Sequence, residues 1–127
     1  MDTKKVIFKN SKENIEIICK VAKTIFEKTK GLINIEKLEE KNGMIFEFTI
    51  PWHRFFWMKN VKIPLDIIFV NRNFEIIHIS EAEVEKGFFY KNYWSHGFCK
   101  YVIETKMGFC KKNGITKGSK IEIKKEI

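Results

Sequence analysis

Short apolar runs rich in β-branched and aromatic residues recur along the chain, separated by clusters of turn residues. Lys4 to Lys9 and Ile15 to Val21 are two such runs. The segment Asn10-Ser11-Lys12-Glu13-Asn14 lies between them, which predicts an opening hairpin. In the second run Ile15, Ile17 and Cys19 share a face. Thr24, followed three residues later by Glu27, forms a capping-box pattern that starts a short helix. Lys28 and Lys30 suit its negative end, and Gly31 can close it in the left-handed conformation. After a turn at Asn42-Gly43, Met44 to Phe48 form the next strand, and Pro51 is expected to stop it.

The centre reads as a hairpin: Leu65 to Val70, the turn residues Asn71-Arg72-Asn73, then Glu75 to Ile79. The expected register sets Phe69 opposite Ile76 and Ile67 opposite His78. One face then carries Leu65, Ile67, Phe69, Ile76 and His78, and the other Asp66, Ile68, Val70, Ile77 and Ile79. Both faces are largely apolar, as in a strand pair covered on two sides. From Glu81 to Lys100 the pattern dissolves into a long aromatic loop. Lys100 to Glu104 returns to strand, Met107 to Asn113 form a helix closed by Gly114, and Ile121 and Ile123 alternate in a last strand after the Lys117-Gly118 turn. Residues 1–127 therefore predict one domain, mainly β: an antiparallel β-sandwich or bent barrel with two short helices.

Composition narrows the class. Apolar residues make up 44% and charged residues 31% of the 127, a balance typical of folded globular chains. Neither a signal-peptide core nor a stretch of membrane-span length occurs, so a cytoplasmic location without a membrane partner is expected. Three cysteines, Cys19, Cys99 and Cys110, are an odd number that favours free thiols. The net charge of +8 attracts polyanions without selecting among them, and the lysines are spread along the chain rather than massed in a block.

The run from Phe56 to Val70, Phe-Trp-Met-Lys-Asn-Val-Lys-Ile-Pro-Leu-Asp-Ile-Ile-Phe-Val, closely resembles the signature of the DUF192 family. Gly31-Leu32, Gly43-Met44-Ile45-Phe46, Tyr101-Val102-Ile103-Glu104, Gly108, Gly114-Ile115 and Gly118 support the resemblance in chain order. Lys28 and Ile33 stand where the family commonly shows Arg and Met. The resemblance implies a compact β fold of sandwich type with small helices, and it implies no established activity.

Three groupings are candidates for chemistry. Asp66 falls on an apolar face, where a carboxylate needs a partner; Lys59, Asn60 and the backbone N–H groups before Pro64 are nearest by chain. It either braces that connection or serves as an acid/base or ligand-orienting group. Trp52-His53-Arg54-Phe55-Phe56-Trp57 packs four aromatic rings into six residues, with one Trp expected toward the core. With Tyr90, Tyr93 and Trp94, such rings can wall a cleft for a sugar or another flat ligand, the alternative being ordinary packing. His96, Cys99 and Cys110 carry only a poor metal-site signal, because a second close Cys/His pair is missing. Ser95-His96 has no nucleophile elbow around it, and no phosphate-binding loop occurs.

The leading expectation is a non-catalytic domain, without cofactor, metal or assigned catalytic residue. It binds a small polar ligand or glycan near Trp57, Lys59, Asn60, Asp66, Tyr93 and Trp94. Two alternatives stay open: nucleic-acid binding through the basic and aromatic surface, and an enzyme pairing Asp66 with His78 or His53.

Overall fold

The computed structural model describes residues 2–10, 12–22 and 35–125. Nine strands among the described residues carry the fold: β1 Thr3–Lys9, β2 Asn14–Ala22, β3 Asn42–Trp52, β4 Phe55–Phe56, β5 Leu65–Val70, β6 Ile76–Ala82, β7 Tyr93–Trp94, β8 Cys99–Lys106 and β9 Lys120–Lys125. Among the described residues one helix, α1, spans Phe109–Asn113. Seven strands form one sheet in the order β6-β5-β8-β3-β2-β1-β9, and β4 pairs with β7 in a separate ribbon. The expected mainly β class is what the chain adopts, as a single curled sheet with a small second one. The helix predicted from the Thr24/Glu27 capping box lies outside the described residues.

The sheet curls until its two edges meet at one end. Glu75 at the head of β6 bridges Lys120 of β9. Ile76 N–H donates to the Ser119 carbonyl at 2.9 Å, and Ile121 N–H to that of Phe74 at 2.9 Å. All seven strands send side chains into the enclosed core, including Phe8, Ile17, Ile45, Val70, Ile76, Ile103 and Ile121, and α1 adds Phe109 and Cys110. A second cluster covers the other face. There Met44, Phe46, Leu65, Ile67, Phe69 and Val102 of the sheet meet Met58, Val61 and Tyr93 of the covering segments.

The opening hairpin and the last strand match the expected pattern, and every sheet pairing is antiparallel except β2 with β3. A parallel pair needs a long crossover, which is why turn reasoning between adjacent strands does not find it. Asn42-Gly43 begins β3 instead of forming a turn. Pro51 does not end β3, because the β3–β8 ladder shifts between Glu47 and Trp52, and a proline without N–H is tolerated where no ladder bond is due. α1 starts two residues later than expected, at Phe109, since Gly108 takes the left-handed conformation before it (φ 93°).

The central hairpin needs a correction. Phe69 pairs with His78 and Ile67 with Ser80, while Val70 pairs with Ile76 across a bulge. Asn71 causes the difference: its side-chain oxygen accepts N–H bonds from Asn73 (2.9 Å) and Glu75 (3.0 Å), building a wider turn that ends at Phe74 with φ 61°. His78 stays on the face of Ile67 and Phe69, whereas Ile76 joins the enclosed core and Ile77 packs on the other face.

Close strand approach is concentrated at Gly43, where a Cβ would sit 2.7 Å from the Glu104 carbonyl oxygen and 3.3 Å from Cys19 Sγ. Backbone cannot yield as a side-chain tip can. Gly43→Ala is expected to destabilise by about 1–3 kcal/mol, read as a lower midpoint in urea unfolding. An unchanged midpoint would mean that β3 and β8 can separate freely at this point.

Candidate functional site

The β4–β7 ribbon brings together residues that lie far apart in sequence. Phe55 pairs with Trp94 and Phe56 with Tyr93, so the strand alternation turns Phe56 and Tyr93 inward and Phe55 and Trp94 outward. Phe56 packs edge-on against Phe46 at 5.0 Å. Ser95 locks the corner behind the ribbon: its buried hydroxyl accepts from Arg54 N–H (2.9 Å) and donates to the Gly97 carbonyl (2.7 Å). That hydroxyl is fully engaged in structure rather than poised as a nucleophile.

Three aromatic rungs follow one another along this ribbon. Trp52 stacks on Phe98 with centroids 5.3 Å apart, Phe55 meets Trp94 at 5.0 Å, and Trp57 meets Tyr90 at 5.9 Å. Their outer faces are open: Phe55, Trp57 and Trp94 are 55%, 52% and 47% exposed. The expected inward Trp is therefore not found within Trp52–Trp57, since Trp52 is also more than half exposed and Phe56 and Met58 fill the core positions instead. Cations accompany the rings. Lys59 Nζ lies 5.5 Å from the Trp57 ring, Lys91 Nζ 5.1 Å from Tyr93, and the Arg54 guanidinium 3.9 Å from Phe48.

Of the residues singled out from sequence, Trp57, Lys59 and Asn60 stand together at one end of the ribbon, and Trp94 lies on its outer face. Met58 and Val61 are buried pegs on either side of a turn closed by a Val61 N–H to Met58 carbonyl bond (3.1 Å). The turn leaves Lys59 and Asn60 exposed, the latter with φ 63°. Tyr93 is buried beneath the ribbon; burial first, and then Glu85 and Glu83, raise its hydroxyl pKa.

Asp66 is not part of this group. Its strand neighbours Leu65 and Ile67 face the ribbon side, so Asp66 points through the sheet toward α1. There Oδ2 accepts from Cys110 N–H at 3.0 Å, and Oδ1 makes a longer contact at 3.4 Å with Gly108 N–H. Its partners are thus the start of α1, not Lys59, Asn60 or the turn before Pro64. The bulky strands between keep it from His78, whose ring lies against Phe69 (5.9 Å) and His96 (4.3 Å) on the opposite face. Partial burial, then His96 and Lys117, lower the His78 pKa. His53 instead lies against Phe98 at 4.8 Å.

The cysteines are separated too. Cys99 belongs to the ribbon-side cluster, and Cys19 and Cys110 to the enclosed core. Burial pushes the Cys19 and Cys99 thiols up to about 12, so they remain neutral. Among the described residues no group of three His, Cys, Asp or Glu is placed to hold a metal. A cavity of about 630 Å³ lies elsewhere, between β1, β2 and α1, with Lys5, Glu16, Glu40 and Lys112 on its walls. Those side chains are paired with one another, Lys5 with Glu16 at 3.2 Å and Lys112 with Glu40 at 2.6 Å.

Sequence reasoning passed over Glu104. It is buried between Met44 and Ile67, both of the ribbon-side cluster, and burial pushes its carboxyl up to about 8. The available signal was its place in Tyr101-Val102-Ile103-Glu104, two residues after an inward Val102.

The DUF192 family profile, described as "Uncharacterized ACR", matches residues 6–123. The fold is similar to that of a proposed transcription regulator from Sinorhizobium meliloti 1021, with TM-score 0.88 and 24% identity over 95% of this chain and 93% of that one. It is also similar to a protein of unknown function from Novosphingobium aromaticivorans DSM 12444, with TM-score 0.86 and 30% identity over 93% of this chain and 83% of that one. Curated proteins give no match.

Proposed function

The chain belongs to the DUF192 family, whose name carries no activity, and from its own geometry we propose a non-catalytic domain that binds a small polar ligand or glycan on the β4–β7 ribbon. The observation that carries this reading is the run of open ring faces at Phe55, Trp94 and Trp57, ending beside the exposed polar pair Lys59 and Asn60. Sugar rings present C–H faces to aromatic rings and hydroxyls to amides and ammonium groups, and both kinds of partner are adjacent here. Lys59 favours a ligand bearing a carboxylate or sulfate. Exposed rings already held against one another lose little freedom on binding, which favours affinity.

Titrating neutral and acidic oligosaccharides while following Trp emission tests the proposal. An acidic oligosaccharide is expected to shift the emission, with Trp57→Ala weakening binding by about tenfold or more and leaving the melting temperature unchanged, because the ring is half exposed. Emission unmoved by every saccharide would remove the glycan reading. Lys59 over the open Trp57 ring, with the exposed Lys91 beside the ribbon, favours single-stranded nucleic acid as a second reading. Oligonucleotide binding with a log–log salt slope of about −0.7 per contacted phosphate would select it.

A further inference from the structure

We propose that the tip of the loop between β6 and β7 anchors the protein on an anionic lipid surface through Phe88 and Phe89. These adjacent rings are 94% and 95% exposed, whereas the next most exposed large apolar residue among those described, Ile50, reaches 65%. The loop presents them rather than folding them away. Lys91 N–H donates to the Glu85 carboxylate at 3.2 and 3.4 Å, closing the base, and Tyr90 turns back onto Trp57. Gly87, with φ 115°, turns the chain just before the pair.

The surroundings match a charged bilayer. Within the loop Lys86 and Lys91 are matched by Glu83 and Glu85, and the positive excess is supplied by the neighbouring turn, where Lys59 Nζ lies over the Trp57 ring that Tyr90 meets and the exposed Lys62 follows three residues on. Surface attachment takes two weak signals together, an apolar insertion and a basic rim, and both occur here. Tyr90, next in the chain to the pair, packs on Trp57, so amphipathic rings of the kind that sit among lipid headgroups adjoin the tip. A second copy of the chain fits less well. Two phenylalanine rings bury at most about 500 Å², below the roughly 800 Å² per partner of a stable interface. That no helix among the described residues is long and apolar enough to cross a membrane does not bear on attachment at its surface.

Co-sedimentation of the full chain with phosphatidylglycerol-containing vesicles, and with pure phosphatidylcholine vesicles, is the test. Binding is expected to the anionic vesicles, to weaken with added salt, and to fall about tenfold for Phe88→Ser or Phe89→Ser and further for the double variant. The double variant should keep the wild-type melting temperature, since neither ring is packed. It leaves Trp57 and Trp94 in place, so a saccharide-induced emission shift is read independently of vesicle binding. Absence of vesicle binding, or equal binding by the double variant, would overturn the proposal. So would self-association that the double variant loses, which would assign the tip to a second copy.

Discussion

Between pH 6 and pH 8 the wild-type protein is expected to lose about 2–3 kcal/mol of stability, a fall in melting temperature on the order of 10 °C, that Glu104→Gln does not lose. Glu104 is buried between Met44 and Ile67 in the ladder, with Val102 before it on the same face. Burial is the cause that pushes its carboxyl from 4.5 to about 8. The sign follows from linkage. A carboxyl whose folded pKa lies above its unfolded one contributes stability that is complete below about 4.5 and disappears as pH rises through about 8. The slope cannot exceed about 1.4 kcal/mol per pH unit for one proton. His78 acts in the opposite sense, because its lowered pKa makes folding less favourable as pH falls below 6.5. It is common to both proteins, so the difference between their pH profiles isolates Glu104. Parallel profiles from thermal melts would show that the ionised carboxylate finds water or a cation at no cost.

Asp66→Ala is expected to cost about 3 kcal/mol, lowering the melting temperature by about 10 °C, while leaving any ligand binding on the ribbon unchanged. The carboxylate is 2% exposed and holds the N–H of Cys110, with Gly108 as a longer second contact. Removing it strands a buried donor at the start of α1 and opens a gap in the enclosed core. Asp66→Asn should fall between, since one amide oxygen can keep the Cys110 bond. A melting temperature unaffected by either change, together with lost binding, would reverse the assignment and make Asp66 a site residue despite its place behind the sheet.

The two acids differ in how far sequence alone could take them. For Asp66, strand parity beside Ile68 and Val70 was enough to predict burial and a need for partners. Its partners were out of reach, because Gly108 and Cys110 lie more than forty positions away and come near only when β5 pairs with β8. For Glu104 the obstacle was different. A single Glu after Tyr101-Val102-Ile103 reads equally well as the exposed end of a strand, and only β3 and β5 flanking it make that end an interior position.

The aromatic site divides in the same way. Two ring-rich segments were visible in the chain, Trp52 to Trp57 and Tyr90 to Phe98, but not their register. Pairing Phe55 with Trp94 makes a ladder of open faces from them, and it turns Tyr93 inward. The hairpin register shows the limit at short range, where the Asn71 side-chain bonds widened the turn and moved His78 opposite Phe69.

What the sequence by itself determined was the mainly β class, the strand positions at both ends, the helix before Gly114 and the family, because these depend on local periodicity, turn chemistry and motif. What only the tertiary structure decided was the curl that joins β6 to β9, the parallel β2–β3 pair, the separation of Asp66 from Trp57 and Lys59, and the exposure of Phe88 and Phe89. Each of those depends on which distant strands pair and which face they cover, and alternation along one strand is the same whichever neighbour lies beside it.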